Sequence, residues 1–263
     1  MNETPATEVD SGNREKANIK TYFDDLATEY DEKLFSRPPL RDLFEKKKDF
    51  LLSTIEGGTV LEVGAGTGQY TELLAEICEE VIVLDVSRPM LSINKQRCSE
   101  YDNVRFIQDD ITNTGLQTDC FDEVVALAVL YHVPEWRSAL SEIARLLKPD
   151  GTVVAEFFNT RNPAVTGRRL LWRLQQITDG AAGEFFEAPV FGTTYTGYEA
   201  AATDSGFEVS KAIGLGFLDL YRLTSALDFL PANTVIRSKP LRRQALRFMF
   251  ELTLTGSSRN YSR

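Results

Sequence analysis

The spacing of apolar and polar positions changes along the chain and divides it into segments. Residues 1–15 are polar and rich in Thr, Glu, Asn and Gly. They bury too little apolar area to offset the entropy of ordering and are predicted to be a disordered tail. In residues 16–56 apolar side chains recur at helical intervals, and the pair Pro38 and Pro39 interrupts them because proline stops a helix. This second segment is therefore predicted to be helical.

Residues 57–160 alternate short β-branched runs with amphipathic stretches. The pattern predicts strands at residues 59–63, 81–84, 104–108, 123–128 and 152–157, and helices that begin near residues 69, 88 and 135. Ser87 is expected to cap the second of these helices, and the Lys-Pro-Asp-Gly sequence at 148–151 predicts a turn. Alternating strands and helices are typical of a parallel sheet covered by helices on both faces.

The alternation stops at residues 161–195, where aromatic and basic side chains dominate, and this segment is interpreted as an insertion over the sheet. It resumes in residues 196–263, with a helix near 198–205 and a strand at 207–213. Strict alternation of apolar positions favours a last strand at about 247–255, although the same residues also fit helical spacing. The fold class predicted from the pattern is α/β, with seven strands.

Composition narrows the function classes. Asp and Glu outnumber Lys and Arg by 39 to 29, a net charge of −10, so the surface repels polyanions and nucleic-acid binding is not expected. The single histidine and three cysteines have no metal-like spacing, which predicts neither a metal site nor a disulfide framework and suits a reducing cytoplasm. No basic leader or membrane-length apolar run is present, so neither export nor an integral membrane segment is expected.

Three glycines at alternate positions, Gly64, Gly66 and Gly68, follow the first predicted strand and precede a helix. Glycine adopts positive φ and lets a ligand approach the backbone, so the loop predicts a site for a nucleotide-like molecule. A P-loop would end in Gly-Lys-Ser or Gly-Lys-Thr, which is absent, and a dinucleotide fingerprint would need glycine where Gln69 stands. Neither phosphate-binding loop fits the sequence.

Together with Glu62, these glycines resemble the first motif of the class I S-adenosylmethionine-dependent methyltransferases, and the likeness extends over roughly residues 17–160. Asp85 ends the second predicted strand, where the acidic residue of that family holds both ribose hydroxyls. A carboxylate suits this task because it accepts two hydrogen bonds at once. Asp85 could instead cap a helix, but Ser87 is better placed for that role.

Further motifs follow in the order that the resemblance requires. Residues 106–111 resemble the third-strand motif, which implies that Asp110 faces the adenine amino group and Ile111 packs on the ring; Asp109 could take the place of Asp110. Residues 121–134 and 146–151 resemble the fourth strand with its turn and the entry to the fifth. The cofactor-binding residues that the resemblance implies are Glu62, Gly64, Ala65, Gly66, Gly68, Asp85, Val86, Asp110, Ile111 and Ala128.

The helical segment at residues 16–56 resembles the opening of quinone-biosynthesis and related small-molecule methyltransferases, where aromatic residues close over the cofactor. Tyr22 and Tyr30 are therefore candidate lid contacts, with ordinary core packing as the alternative. The fold implied is a Rossmann-like methyltransferase core at residues 57–160, with this helical N-terminal lid, a cap insertion at 161–195 and a C-terminal part of the core at 196–263.

Methyl transfer from a sulfonium needs alignment and exclusion of water more than a metal or a covalent nucleophile. His132 is the candidate base for a hydroxyl acceptor, because its unperturbed pKa is near neutrality; a packing or orienting role is the alternative. Tyr131, Arg168 and Arg169 are the candidate substrate contacts. The arginines indicate an anionic acceptor, although an anionic membrane surface or solvated arginines would also account for them.

The resemblance implies an S-adenosylmethionine-dependent methyltransferase that modifies a small molecule. The favoured acceptor is a hydroxyl or carboxyl oxygen of an anionic metabolite or a lipid-linked sugar. Three alternatives stay open: C-methylation of a quinone precursor, an NAD-dependent oxidoreductase, and a non-catalytic cofactor-binding regulator. Fold analogy by itself does not choose the acceptor.

Overall fold

A computed structural model of the chain describes residues 6–36, 38–162, 165–167, 188–216, 235–238 and 243–255. Its centre is one sheet of eight strands in the order β3-β2-β1-β4-β5-β8-β6-β7. The strands are β1 Thr59–Val63, β2 Glu80–Asp85, β3 Val104–Gln108, β4 Phe121–Ala126, β5 Leu147–Phe158, β6 Phe207–Leu215, β7 Val235–Ile236 and β8 Arg247–Leu254.

Helices cover this sheet and precede it in the chain. They are α1 Ala6–Leu26, α2 Tyr30–Phe35, α3 Pro38–Leu52, α4 Thr71–Ile77, α5 Arg88–Arg97, α6 Trp136–Leu146 and α7 Tyr195–Asp204, with short 3-10 turns at Ala27–Glu29 and Leu130–His132. Pro38 begins α3, a position where its missing N–H costs nothing. The predicted cap of α5 is confirmed, because the Ser87 side chain accepts a hydrogen bond from the Met90 N–H. None of the helices in the described ranges is long and apolar enough to span a bilayer.

Strands β1 to β5 run parallel, and β8 enters between β5 and β6 in antiparallel pairing with both. The predicted final strand is therefore confirmed. The strand count of seven is wrong by one: β7 has only two residues and pairs with the end of β6 at Gly214 and Leu215. Buried side chains lie on both faces of the sheet, as its helical covering requires.

Two segments differ from the sequence prediction. Helix α1 begins at Ala6 and so includes part of the 1–15 segment that was predicted to be a disordered tail. Residues 148–151, predicted as a turn, lie within β5, where the pairing with β4 shifts from Phe121 and Leu147 to Glu123 and Thr152. Asp150 has a φ of 63°, so the turn-forming sequence produces an irregularity in a continuing strand. Most of the predicted cap insertion lies outside the described residues.

Candidate functional site

A cavity of about 400 Å³ opens at the carboxyl ends of β1, β2 and β4. This edge is where ligands bind in open α/β sheets, and the volume lies within the range of small-molecule sites. The walls come from the loop after β1, the ends of β2 and β4, the segment after β3, and helices α1 to α3. The N-terminal helices therefore form one side of the cavity.

The glycine loop after β1 needs its glycines for separate reasons. Gly64 has a φ of 64°, and a Cβ there would lie 2.3 Å from a methyl group of Val129. Gly68 has a φ of 92°, and a Cβ would meet the Asn94 side chain. Gly66 has a φ of 55°, and a Cβ there would meet no atom within 4 Å, so its backbone faces open space on the cavity side. A ligand can thus contact the bare backbone at Gly66.

Asp85 joins this loop to the end of β2. One carboxylate oxygen accepts the N–H of Gly66 at 2.9 Å, and the other accepts the N–H of Ser87 at 2.8 Å. Burial raises the pKa of Asp85, while the hydrogen bonds from these amides oppose the rise. A carboxylate offers about four acceptor positions, so two remain for hydroxyl donors in the cavity. This arrangement fits a ribose.

Glu62, in β1, lines the same cavity and is almost completely buried. Its carboxyl group accepts a hydrogen bond from the Thr71 hydroxyl at 2.6 Å, and Thr71 in turn accepts one from the Asn94 amide at 2.9 Å. Burial raises the pKa of Glu62 to about 8, against the effect of the Thr71 bond. Glu62 is thus mainly neutral at pH 7 until a cation approaches it.

Asp110 lies at the far end of the cavity, after β3. Its carboxylate accepts hydrogen bonds from the N–H and hydroxyl of Thr112 and from Lys16 of α1, the last at 3.0 Å. Burial opposes ionisation, but these contacts outweigh it and lower the pKa of Asp110. Asp109 does not line the cavity: its oxygens accept the N–H groups of Asp110 and Gly115. Asp110 is therefore the better-placed partner for an adenine amino group.

A second contact fastens the N-terminal helices to the glycine loop. Asp31, in α2, accepts hydrogen bonds from the Thr67 hydroxyl and from the Gln69 amide at 2.8 Å, and it forms an ion pair with Arg97 of α5. Together with the Lys16 and Asp110 pair, this contact holds α1 and α2 against both ends of the cavity. Neither pairing was predicted from the sequence.

His132 follows β4 and lines the cavity close to Pro134. Its Nδ1 lies 2.8 Å from the Pro189 carbonyl oxygen, which can only accept, so Nδ1 carries the proton in the neutral ring. Nε2 then keeps its lone pair. Burial lowers the pKa of His132 to about 4, and the ring is neutral at pH 7. Phe23 of α1 packs edge-on against it, with ring centroids 5.2 Å apart.

A buried cluster of charges lies beside the cavity. Glu156 of β5 is fully buried and forms ion pairs with Lys47 at 2.6 Å and with Arg247 at 3.0 Å. It also accepts the N–H of Ala128, a residue held at a φ of 58°. Arg247 donates a second hydrogen bond to the Tyr131 hydroxyl. Neither Lys47 nor Glu156 was predicted from the sequence. Glu156 could have been identified because it is the single acid within the apolar run of the strand predicted at 152–157.

The structure brings most of the predicted site residues to one cavity. Those that line it are Glu62, Gly64, Ala65, Gly66, Asp85, Val86, Asp110, Ile111, Ala128, Tyr30 and His132. Gly68, Tyr22 and Tyr131 do not: Gly68 shapes the turn, Tyr22 packs edge-on against Phe23, and Tyr131 is buried against Arg247. Arg168 and Arg169 lie outside the described residues.

Comparison with known proteins agrees with this geometry. Residues 61–155 match a methyltransferase domain family. The chain is 33% identical over 127 residues to a demethylmenaquinone methyltransferase of Bacillus licheniformis, covering 47% of this chain and 54% of that protein. It is 35% identical over 142 residues to the protein of the same name from Renibacterium salmoninarum, covering 53% and 58%. The chain thus spans less than two thirds of the length of these curated relatives.

Solved structures share the fold. A putative methyltransferase in complex with the Haloferax volcanii Trm112 methyltransferase activator superposes with a TM-score of 0.65 at 19% identity, covering 92% of this chain and 100% of that one. The N-methyltransferase NodS of Bradyrhizobium japonicum, in complex with S-adenosyl-L-homocysteine, gives 0.61 at 18% identity, covering 90% and 97%. With its strand order, glycine loop and acidic strand ends, the chain is similar to methyltransferases in fold, and its residues 61–155 match a methyltransferase domain.

Proposed function

We propose that this protein transfers the methyl group of S-adenosylmethionine to a small-molecule acceptor. The observation that carries the proposal is the pairing of the Asp85 carboxylate with the Gly66 N–H at 2.9 Å, beside a cavity that both residues line. Asp85 would hold the ribose hydroxyls, Asp110 and Ile111 the adenine, and Glu62 the cationic methionine end. No phosphate-binding sequence competes for the loop.

The bound cofactor supplies a methyl group on a positively charged sulfur, which is a good leaving group. The protein has to align the acceptor with that methyl and keep water out. Helices α1 and α2 would exclude water, since Lys16 and Asp31 fasten them to the opposite walls. The Nε2 of His132 would accept the hydrogen of an acceptor hydroxyl, because Nδ1 is committed to the Pro189 carbonyl.

Two acceptor chemistries remain as proposals. The first is methylation of an oxygen, in which the neutral His132 would accept a hydrogen bond from the hydroxyl and orient it. The second is methylation of a carbon in a quinone precursor, and it is favoured by the relatives named demethylmenaquinone methyltransferase, although the chain covers only part of their length. The cytoplasmic location expected from the sequence stays a prediction.

The first test measures ligand-dependent thermal stability. S-adenosylhomocysteine should raise the melting temperature and NAD should not, because a ligand that binds only the folded state stabilises it. Asp85→Ala should reduce the stabilisation, whereas Asp109→Ala, on the neighbouring strand end but away from the cavity, should keep it. Stabilisation by NAD instead would make the oxidoreductase the better hypothesis.

The second test identifies the acceptor. The protein is incubated with methyl-labelled S-adenosylmethionine and a metabolite extract, and mass spectrometry finds the compound that gains one CH2. Fragmentation of that compound separates oxygen from carbon methylation. Tight cofactor binding without any methylated product would favour the non-catalytic regulator and contradict the proposal.

A further inference from the structure

The buried cluster beside the cavity carries an excess of positive charge. Lys47 and Arg247 are two cations, and Glu156 between them is the single carboxylate within ion-pair distance of either in the described part of the chain. The Lys47 side chain is 8% exposed and that of Glu156 is not exposed at all. Burial lowers the pKa of Lys47 and the Glu156 carboxylate opposes this shift, so an anion in the cavity would favour the charged ammonium.

Glu156 does not need Lys47 to satisfy its hydrogen-bonding capacity. One oxygen accepts from Arg247 at 3.0 Å, and the other accepts from the backbone N–H of Ala128 at 2.9 Å. Arg247 alone would balance the carboxylate. Lys47 joins α3 to β5 through its ion pair, and it is the one of the two cations that lines the cavity.

The ammonium group of Lys47 has N–H donors that its ion pair with Glu156 does not use. An ammonium group has three N–H bonds, and its contact with Glu156 at 2.6 Å uses one of them. No further acceptor for Lys47 is found among the described residues. Other acidic groups on the cavity wall have partners of their own: Glu62 accepts the Thr71 hydroxyl and would face the cationic end of the cofactor, and Asp110 is paired with Lys16. The Asp85 carboxylate, at the end of β2, accepts hydrogen bonds from two backbone amides.

The walls near Lys47 indicate what kind of anion would fit. Tyr30, Tyr70 and Phe23 line the same cavity, and their rings suit a flat, mainly apolar molecule. A lysine donates from a single point, unlike the two-pronged guanidinium that matches a carboxylate. One oxyanion on an aromatic or conjugated body satisfies both features.

We infer that Lys47 binds the ionised hydroxyl of the acceptor, and that the acceptor is a phenol, a hydroquinone or an enol. The inference rests on the proposed function and deepens it. The hydroxyl proton leaves to solvent, and the oxyanion stays against Lys47. An electron pair from the oxygen, or from the conjugated carbon that the oxyanion activates, forms the bond to the methyl carbon. The bond from that carbon to sulfur breaks, and its electron pair remains on S-adenosylhomocysteine; in the carbon case the ring then loses a proton.

The test uses 4-nitrophenol as a probe, because its ionised form absorbs visible light and the ionised fraction can be read directly. The protein is loaded with S-adenosylhomocysteine, and the probe is titrated with pH in the presence and absence of protein. We expect the apparent pKa of the bound probe to fall by about one unit, a tenfold preference for the anion. This measurement needs only the wild-type protein.

Variants then assign the preference to one side chain. Lys47→Met should lose the tenfold preference, and Lys47→Arg should keep most of it. Lys46→Met is the matched control, since Lys46 is on the same helix but pairs with Asp42 at the surface, and it should behave as wild type. Binding of S-adenosylhomocysteine, measured by calorimetry, verifies that each variant keeps a folded cofactor site.

The outcomes separate the two proposals. Failure of the wild type to bind S-adenosylhomocysteine contradicts the proposed function itself. Normal cofactor binding with a probe that binds only as the neutral phenol, or does not bind, overturns the role of Lys47 alone. Tighter binding of 4-nitrobenzoate than of 4-nitrophenolate, lost in Lys47→Met, would also overturn the inference, because the site would then select a carboxylate.

Discussion

If Glu62 holds the cationic end of the cofactor as proposed, cofactor affinity depends on pH. Burial raises its pKa to about 8 in the ligand-free site, so about one carboxyl group in ten is ionised at pH 7 and about one in a hundred at pH 6. An ammonium group about 4 Å away stabilises the ionised form by about 4 kcal/mol at an effective dielectric constant of about 20. The bound cofactor, with its cationic amino group, should therefore keep Glu62 ionised over this whole range.

The sign follows from the proton balance. Glu62 is protonated in the free protein and ionised in the complex, so binding releases a proton and affinity rises with pH below about 8. The ratio of ionised fractions gives about a ninefold gain between pH 6 and pH 7. The cofactor amino group stays charged in this window, because an α-amino pKa is about 8.

Isothermal titration calorimetry with S-adenosylhomocysteine at several pH values, in buffers of different ionisation enthalpy, measures both the affinity and the proton released. Glu62→Gln keeps a side chain that can bond to Thr71 but cannot titrate. It should bind about tenfold more weakly than wild type near pH 6 and about seventyfold more weakly near pH 7, and release no proton. Glu123→Gln is the control, because Glu123 is another carboxyl whose pKa burial raises, but it accepts the backbone N–H groups of Glu56 and Gly57 away from the cavity. A flat profile in wild type, or an unchanged slope in Glu62→Gln, would refute the reasoning.

Three further changes have defined outcomes. Asp85→Ala should weaken S-adenosylhomocysteine binding by about 1–3 kcal/mol, measured by calorimetry, because charged hydrogen bonds to the ribose are lost. Asp31→Asn should raise the dissociation rate of the same ligand by about twofold to tenfold in stopped-flow fluorescence, because it weakens the contacts of α2 with Thr67 and Arg97; an unchanged rate would exclude a gating role. Gly68→Ala should lower the free energy of unfolding by about 1–3 kcal/mol in denaturant titrations, because alanine is strained at a φ of 92° and its Cβ meets Asn94.

Local sequence signals predicted the parts of the fold that depend on local physics. Ser87 caps α5 because its hydroxyl needs only the amide three residues on, and β8 alternates because every second side chain from 248 to 254 packs into one core cluster. The strand β7 could not be predicted, since a two-residue strand exists only through its pairing with β6. Residues 148–151 have turn chemistry, but β5 continues through them because β4 pairs with Leu147 before them and with Thr152 to Ala155 after them.

The candidate site likewise has one part that local sequence signals predict and another part that they do not. The glycine loop and Asp85 follow directly from strand ends, so their convergence was predictable from chain order. Lys16 reaches Asp110 across 94 residues of sequence, and Asp31 reaches Thr67 across 36. Such pairs depend on how α1 and α2 lie against the sheet, which periodicity does not specify. The role of Lys47 could not be predicted for the same reason, because it lies within a run of five consecutive charged residues at 45–49 that is typical of an exposed helix face.

The late position of β8 has a consequence for protein synthesis. Arg247 follows Glu156 by 91 residues, and β8 lies between two strands that are translated before it. On the ribosome, β5 and β6 are therefore synthesised before the strand that pairs with both of them. The Glu156 carboxylate lacks the guanidinium of Arg247 until β8 emerges from the exit tunnel. Nascent chains that end before residue 247 would lack β8 and would expose the unpaired edges of β5 and β6 to chaperones. A premature stop codon just before residue 247 should therefore abolish folding as well as chemistry.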